Sequence, residues 1–270
     1  MDYKTIKYVK DGPVARVTFC RPEIHNAFNG TVITEMGEVF HEIEKHDDIR
    51  VVVLTGEGKS FCSGADLNWM RSVIDQTFEE NLIESNALAE LFHRIHTFKR
   101  PVIGRINGAA IGGGTGFVAV CDIAIAARSA KFSFSEVKIG VVPACIGPYV
   151  IKKMGEGKAR ELFITGERMY AERAYEVGLI NKVVDDDQLD DEVENLIHSI
   201  LTSGPEAVAM AKKLVSSVPT MRPDEYKPFT AEMIARLRIS KEGQEGMDAF
   251  LNKRKPAWAA PKKDNLNLDV

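Results

Sequence analysis

Three features of the sequence predict an α/β fold. Runs of five or six β-branched and apolar residues recur through the first half, and helical periodicity fills the intervals between them. After Pro143 the helix signals dominate. Strands are expected at residues 4–9 and 14–19, with Asp11-Gly12-Pro13 as the turn between them. Thr31 reads as the N-cap of a helix to about residue 46, because Ile33, Met36, Val39, Phe40 and Ile43 share one helical face. Residues 50–55 form a β-branched run, with Val51, Val52, Val53 and Leu54 at its centre, closed by Gly56-Glu57-Gly58, the pattern of a strand buried on both faces. A helix over 79–98, a strand over 102–106, a helix over 114–120 and strands over 123–126 and 131–134 follow. Helices are then predicted at 157–165, 171–177, 189–202, 205–217, 223–239 and 242–253, interrupted by one short strand at 179–184. The expected organisation is an α/β core over residues 1–190, a helical portion over 191–258 and a polar tail over 259–270.

Composition narrows the function classes. With 44% hydrophobic and 27% charged residues, the 270-residue chain has enough apolar material for a sizeable core. Its net charge of -4 creates no general attraction for nucleic acid or anionic membrane, and Lys253-Arg254-Lys255 is too short a basic run to reverse that. The longest uncharged run, residues 106–121, has 16 residues including five glycines, too short and too flexible for a membrane span. Cys20, Cys62, Cys121 and Cys145 have no CxxC spacing and read as free thiols. Met1-Asp2-Tyr3-Lys4 leads into a strand-like segment without a signal-peptide hydrophobic region, so a soluble protein is expected, cytoplasmic or a mature matrix protein. His41 and His46 are five apart and form no HExxH pair, so no metal site is expected; no GxSxG elbow is present.

Two segments carry the chemistry. Ser60-Phe61-Cys62-Ser63-Gly64-Ala65-Asp66-Leu67 follows one buried strand, and Asn107-Gly108-Ala109-Ala110-Ile111-Gly112-Gly113-Gly114-Thr115-Gly116 follows the next. In both, a strand is expected to run into small residues and then a helix. Such a junction leaves the first helical N–H groups unpaired, with the positive end of the helix dipole behind them. Two junctions together could present two N–H donors to one carbonyl oxygen, which makes an oxyanion hole. The glycine run has rival readings. A dinucleotide fingerprint fails because Gly112-x-Gly114 is followed by Phe117, and a P-loop fails because no Gly-Lys-Ser/Thr follows. From the run alone a tight strand–helix contact without a ligand stays open, and the companion segment is what favours a ligand.

FCSGADL, then NGAAIGGG, then CDIAIA, then a glutamate in SEVKIGVVP, resembles the crotonase (enoyl-CoA hydratase/isomerase) superfamily in order and spacing. The C-terminal run from Glu245 to Pro256 resembles that family's last helix. The resemblance implies a crotonase-like spiral of ββα units with a helical trimerisation region, assembled as a homotrimer or a dimer of trimers. It implies an acyl-CoA substrate and no cofactor beyond the coenzyme A of that substrate. Position by position, Ala65 and Gly113 match the backbone oxyanion donors and Glu136 matches one of two catalytic glutamates. His25, Ala27, Cys62, Ser63, Asp66, Leu67, Gly112 and Pro143 match segments lining the substrate and CoA path. Phe250 and Lys253 match C-terminal residues that reach a neighbouring subunit's CoA, although a lysine at a helix end also serves the helix dipole. Trp69 and Met70 read equally as an acyl-pocket wall or as core.

One position departs from the pattern. Gly116 stands where two-glutamate hydratases of the family carry the second carboxylate. That departure resembles the sub-group of 3-methylglutaconyl-CoA hydratases, whose substrate brings its own carboxylate. Two like charges ~5 Å apart repel by about 3 kcal/mol at an effective dielectric near 20, so losing the glutamate removes that repulsion and is expected to open space. Three functions follow: hydration of a branched or carboxylated 2-enoyl-CoA, double-bond isomerisation by a single glutamate, or acyl-CoA binding without catalysis. Tyr149, Lys138 and Arg71 are the candidate contacts to a substrate carboxylate.

Overall fold

The computed structural model describes residues 2–259. The chain divides into two compact units: Met1–Phe98 with Val102–Val193, and Lys99–Pro101 with the chain from Glu194 onward. In the first unit, β1 (Ile6–Asp11) and β2 (Val14–Phe19) pair antiparallel around Gly12, whose φ of +54° makes the turn. Helix α1 (Gly30–Glu44) starts earlier than Thr31. The Asn29 side chain accepts the Val32 N–H at 3.1 Å, so Asn29 is the cap. Strand β3 (Val51–Gly56) is buried on both faces, as its unbroken apolar run requires.

Each following ββ unit contributes one strand to each of two sheets. β4 (Ser60–Cys62) follows β3, then α2 (Leu67–Ser72) and α3 (Phe78–Thr97). A reciprocal box caps α3: the Thr77 hydroxyl accepts the Glu80 N–H, and the Glu80 carboxylate accepts the Thr77 N–H. β5 (Val102–Ile106) is followed by β6 (Ala109–Ile111) and α4 (Gly113–Val120), and β7 (Ile123–Ala127) by β8 (Lys131–Ser133). Then come α5 (Gly147–Met154), α6 (Glu156–Thr165), β9 (Arg168–Tyr170), α7 (Ala171–Glu176) and β10 (Lys182–Val184). The larger sheet runs β1-β2-β3-β5-β7-β10, parallel from β2 onward, and the smaller runs β4-β6-β8-β9. This alternation gives the spiral of ββα units that the resemblance implied. The three-residue strands β4, β6 and β9 are absent from the sequence prediction, because so short a run carries no readable period.

Helix α8 (Leu189–Leu201) starts in the first unit and belongs to the second from Glu194, where α9 (Pro205–Ser217), α10 (Pro223–Ile239) and α11 (Lys241–Leu251) follow. Helix α9 begins at a glycine and a proline with no side-chain cap of its own; the Glu242 carboxylate supplies one, accepting the Glu206 and Ala207 N–H groups at 2.8 Å. Residues 260–270, which hold nearly all of the expected tail, lie outside the described residues. Among the described residues no helix is long and apolar enough to cross a membrane, and no group of three metal-ligating side chains is gathered.

Candidate active site

The two glycine-rich junctions meet. Gly64, at φ +96°, approaches so closely that a Cβ there would lie 2.8 Å from the Ile111 carbonyl oxygen, and the Gly114 Cα rests on the Cys62 carbonyl. Only glycine tolerates both approaches.

The first donor arises differently from the sequence expectation. The segment does not pass from strand β3 straight to a helix; β4 intervenes, and α2 is only six residues long with its N-terminus capped by Asp66. Ala65 instead sits in a parallel bridge with Phe28. Phe28 donates to the Gly64 carbonyl and accepts from the Asp66 N–H, both at 2.8 Å. In a parallel bridge the residue so bracketed directs its own N–H and C=O away from its partner. The Ala65 N–H therefore points out of the pairing. The second donor follows the expected route: Gly113 is the first residue of α4, beyond an N-cap Gly112 at φ +53°, so its N–H belongs to the unpaired first turn. Among the described residues neither N–H finds a protein acceptor. Both residues are half-buried while Gly64, Asp66, Gly112 and Gly114 around them are buried.

Glu136 completes the group. It lies in a short 3-10 turn (Ser135–Ile139) after β8, with Oε1 3.2 Å from where a Gly112 Cβ would be. Its Oε2 is buried and has no hydrogen-bond partner. The positive end of α4 nearby favours the carboxylate, yet burial wins and pushes the Glu136 pKa up, with its own backbone N–H opposing only in part. A carboxyl group so shifted is suited to exchanging protons near neutrality.

The structure corrects the expectation at Gly116. The space is not open: a Cβ there would collide with Ile146 Cγ2 and lie 3.0 Å from Ile146 Cβ and Phe92 Cζ. Ile146 is 2% exposed and Phe92 is fully buried, so an apolar wall stands where a second carboxylate would begin.

The remaining sequence candidates divide. The Cys62 side chain is sealed in the core and burial pushes its thiol up to about 12, so only its backbone can serve a ligand. Asp66 is a structural carboxylate. Burial raises it, but the Asn68 N–H and Arg21 hold it below its ordinary value, with Arg21 Nη2 at 2.7 Å and Arg21 Nη1 on the Ala27 carbonyl at 2.6 Å. His25 is exposed and its Nδ1 lies 3.1 Å from the Ser60 hydroxyl; Ser63 donates its N–H to the His25 carbonyl at 3.0 Å, and Leu67 is exposed. Pro143 is buried and lines an apolar groove of about 300 Å³ with Val142, Gly147, Ile151 and Phe163, apart from Ala65, Gly113 and Glu136. Phe250 and Lys253 belong to the second unit and are exposed. Beside them, Arg254 makes a two-point pair with Glu245, pulling that carboxyl down to about 2. Trp69 resolves towards packing: it leans on Phe28 and donates to Glu84 at 3.0 Å. Tyr149 packs beside Phe92 and His96; Arg71 donates to its neighbour Asn68 at 3.3 Å, and Lys138 is exposed. Sequence reasoning placed Asn26 only within the 25–28 segment matching the CoA path and missed its structural role: it is 1% exposed at φ +57°. Its amide bonds Arg21 N, Glu57 O and Ser60 O within 2.9 Å, tying the three segments together. The signal was available, since asparagine is one of few residues that enter the left-handed region readily.

The enoyl-CoA hydratase/isomerase family model matches residues 10–261. The chain belongs to that family. The short-chain-enoyl-CoA hydratase of Clostridium acetobutylicum is 33% identical over 94% of this chain and 97% of its own length. The 1,2-epoxyphenylacetyl-CoA isomerase of Escherichia coli is 32% identical over 94% of this chain and 97% of its own. The crystal structure of an enoyl-CoA hydratase from Shewanella pealeana superposes with a TM-score of 0.91 at 39% identity, covering 95% of this chain and 96% of that one.

On the expectation that Gly113 supplies an oxyanion N–H, Gly113→Ala should lower kcat about 100-fold, the scale of losing one such donor or displacing it by about 1 Å. The added Cβ would meet Phe28 Cε1 and Cζ at 2.7 Å, so ring or helix must move. Steady-state kinetics on the folded variant, with circular dichroism as the control, read this directly.

Proposed function

We propose that this protein is a one-carboxylate hydratase, adding water to a branched 2-enoyl-CoA, with 3-methylglutaconyl-CoA giving 3-hydroxy-3-methylglutaryl-CoA in leucine degradation as the reaction. The observation that carries it is the half-buried Glu136 carboxylate, its Oε2 sealed without a hydrogen-bond partner, beside Gly112 at the start of the helix that carries the Gly113 N–H. Glu136 takes a proton from water as the oxygen bonds to C3. The electron pair of the C2–C3 bond moves through C2 to the thioester oxygen, where the Ala65 and Gly113 N–H groups stabilise the enolate. Collapse of the enolate with a proton from the Glu136 carboxylic acid to C2 completes the addition. The apolar Ile146–Phe92 wall supports a carboxylated substrate, because it leaves no second negative charge beside Glu136 to repel the acyl carboxylate.

The same wall favours a second reading, isomerisation, because a single carboxylate suffices to carry one proton between two carbons. Coenzyme A enters as part of the substrate in either case. A homotrimer or dimer of trimers belongs to the same proposal, supported by an apolar groove of about 500 Å³ between α9 and α10, and light scattering reads it directly.

The test is incubation with 3-methylglutaconyl-CoA, crotonyl-CoA and a 3-enoyl-CoA, followed by product mass and isomer-resolving chromatography. A gain of one water on the first, lost in Glu136→Gln, is the expected result. Conversion of the 3-enoyl to the 2-enoyl thioester without mass change would make the protein an isomerase. No turnover of any of the three would overturn both.

A further inference from the structure

We infer that Phe28 is the positioning residue that sets both oxyanion N–H groups at once; this rests on the oxyanion reading above. Its backbone fixes one donor. The Phe28 N–H bonds the Gly64 carbonyl and its carbonyl accepts the Asp66 N–H, each at 2.8 Å, so the orientation of the Ala65 N–H between them follows from the Phe28 backbone. Its ring fixes the other. Phe28 Cε1 and Cζ lie against the Gly113 Cα so closely that a Cβ there would meet them at 2.7 Å.

The ring itself has little freedom. It is 2% exposed, meets Phe117 edge-on with centroids 5.7 Å apart, and touches Trp69 at 5.7 Å on another side. Phe117 belongs to α4, the helix that starts at Gly113, and is held by Phe19 at 5.0 Å and Phe92 at 4.8 Å. Trp69 is fixed through Glu84, which also accepts from Gln76 at 3.0 Å. One aromatic side chain thus joins the two strand–helix junctions, whose donors come from segments 48 residues apart (65 to 113). Oxyanion stabilisation depends on donors fixed before the charge develops, and a donor that must reorganise during the reaction loses most of its effect.

The prediction is that Phe28→Leu lowers kcat about tenfold or more with a smaller change in KM, because a displaced donor weakens the transition state more than the ground state. Phe40→Leu is the control for mere loosening of the core: Phe40 is fully buried and meets Phe98 edge-on with centroids 4.9 Å apart, a pair that belongs to neither junction. The decisive readout is the infrared stretch of butyryl-CoA labelled with carbon-13 at the thioester carbonyl. In the unsubstituted protein the bound band is expected to shift to lower frequency, Phe28→Leu to lose much of that shift, and Phe40→Leu to keep it. Should Phe28→Leu not fold, Phe28→Met, closer in length to the ring, replaces it. A full shift in the Phe28 variants, or an equal loss in Phe40→Leu, would overturn the positioning role while leaving the oxyanion hole intact. No shift in the unsubstituted protein would overturn the oxyanion reading itself.

Discussion

Glu136→Gln is expected to reduce turnover of enoyl-CoA substrates by about 100- to 10,000-fold and, at neutral pH, to raise the melting temperature. Both effects have one cause. The carboxylate is half-buried, its Oε2 has no partner, and burial raises its pKa above the ordinary 4.5. The folded state therefore holds this proton more tightly than the unfolded chain does. Below 4.5 both states are protonated and the residue costs no stability on this account. As pH rises from there through the folded pKa, the unfolded state releases the proton first and stability falls. Glutamine carries no charge to desolvate, so its advantage should be absent in acid and grow with pH across that window. Thermal melts of both proteins at pH 4 and 7.5 check it; an advantage equal at both pH values would remove burial of the charge as the cause. In the kinetics, kcat/KM of the unsubstituted enzyme should rise through an acid limb lying above 4.5, since the base must be ionised to act on water.

Gly116 carries the second large effect. Glycine inside a helix ordinarily loses to alanine by about 1 kcal/mol, so helix propensity alone makes Gly116→Ala stabilising. The packing gives the opposite sign. The new Cβ would collide with Ile146 Cγ2 and press on Phe92, and overfilling a close-packed core typically costs about 1–3 kcal/mol. Gly116→Ala should therefore be destabilising on balance, and Gly116→Glu more so, because it adds a charge within an apolar wall. Ile146→Ala opens the space. The double variant G116E/I146A is expected to be distinctly more stable than the two single losses added together, a coupling measurable by denaturant unfolding. Strict additivity would mean that Ile146 is not what excludes a side chain at position 116. The double variant also tests chemistry: a restored second carboxylate should improve hydration of crotonyl-CoA relative to a carboxylated substrate.

Legibility in the sequence followed signal length. Strands β2 and β5 and helices α9 and α10 lie where the pattern put them, because each spans at least five residues of clear apolar run or helical period. The three-residue strands β4, β6 and β9 were unreadable, yet with β8 they form the second sheet, and β4 and β6 lead into the two junctions. The cap is Asn29 and not the expected Thr31, although both residue types cap helices; which of them ends the extended segment depends on how the preceding 25–28 turn is held.

For the site, the sequence determined the chemical parts: two runs of small residues, a glutamate after an apolar strand, and a glycine where a second glutamate would stand. Those are properties of residue type and order, and local backbone preference suffices to read them. Only the tertiary structure decided what the parts face. It turned the Ala65 N–H outward through a bridge to a residue 37 positions away (28 to 65), made Asp66 and Cys62 internal, and filled the vacancy at Gly116 with Ile146. Direction and occupied volume arise from contacts between segments far apart in the chain, and no local pattern carries them.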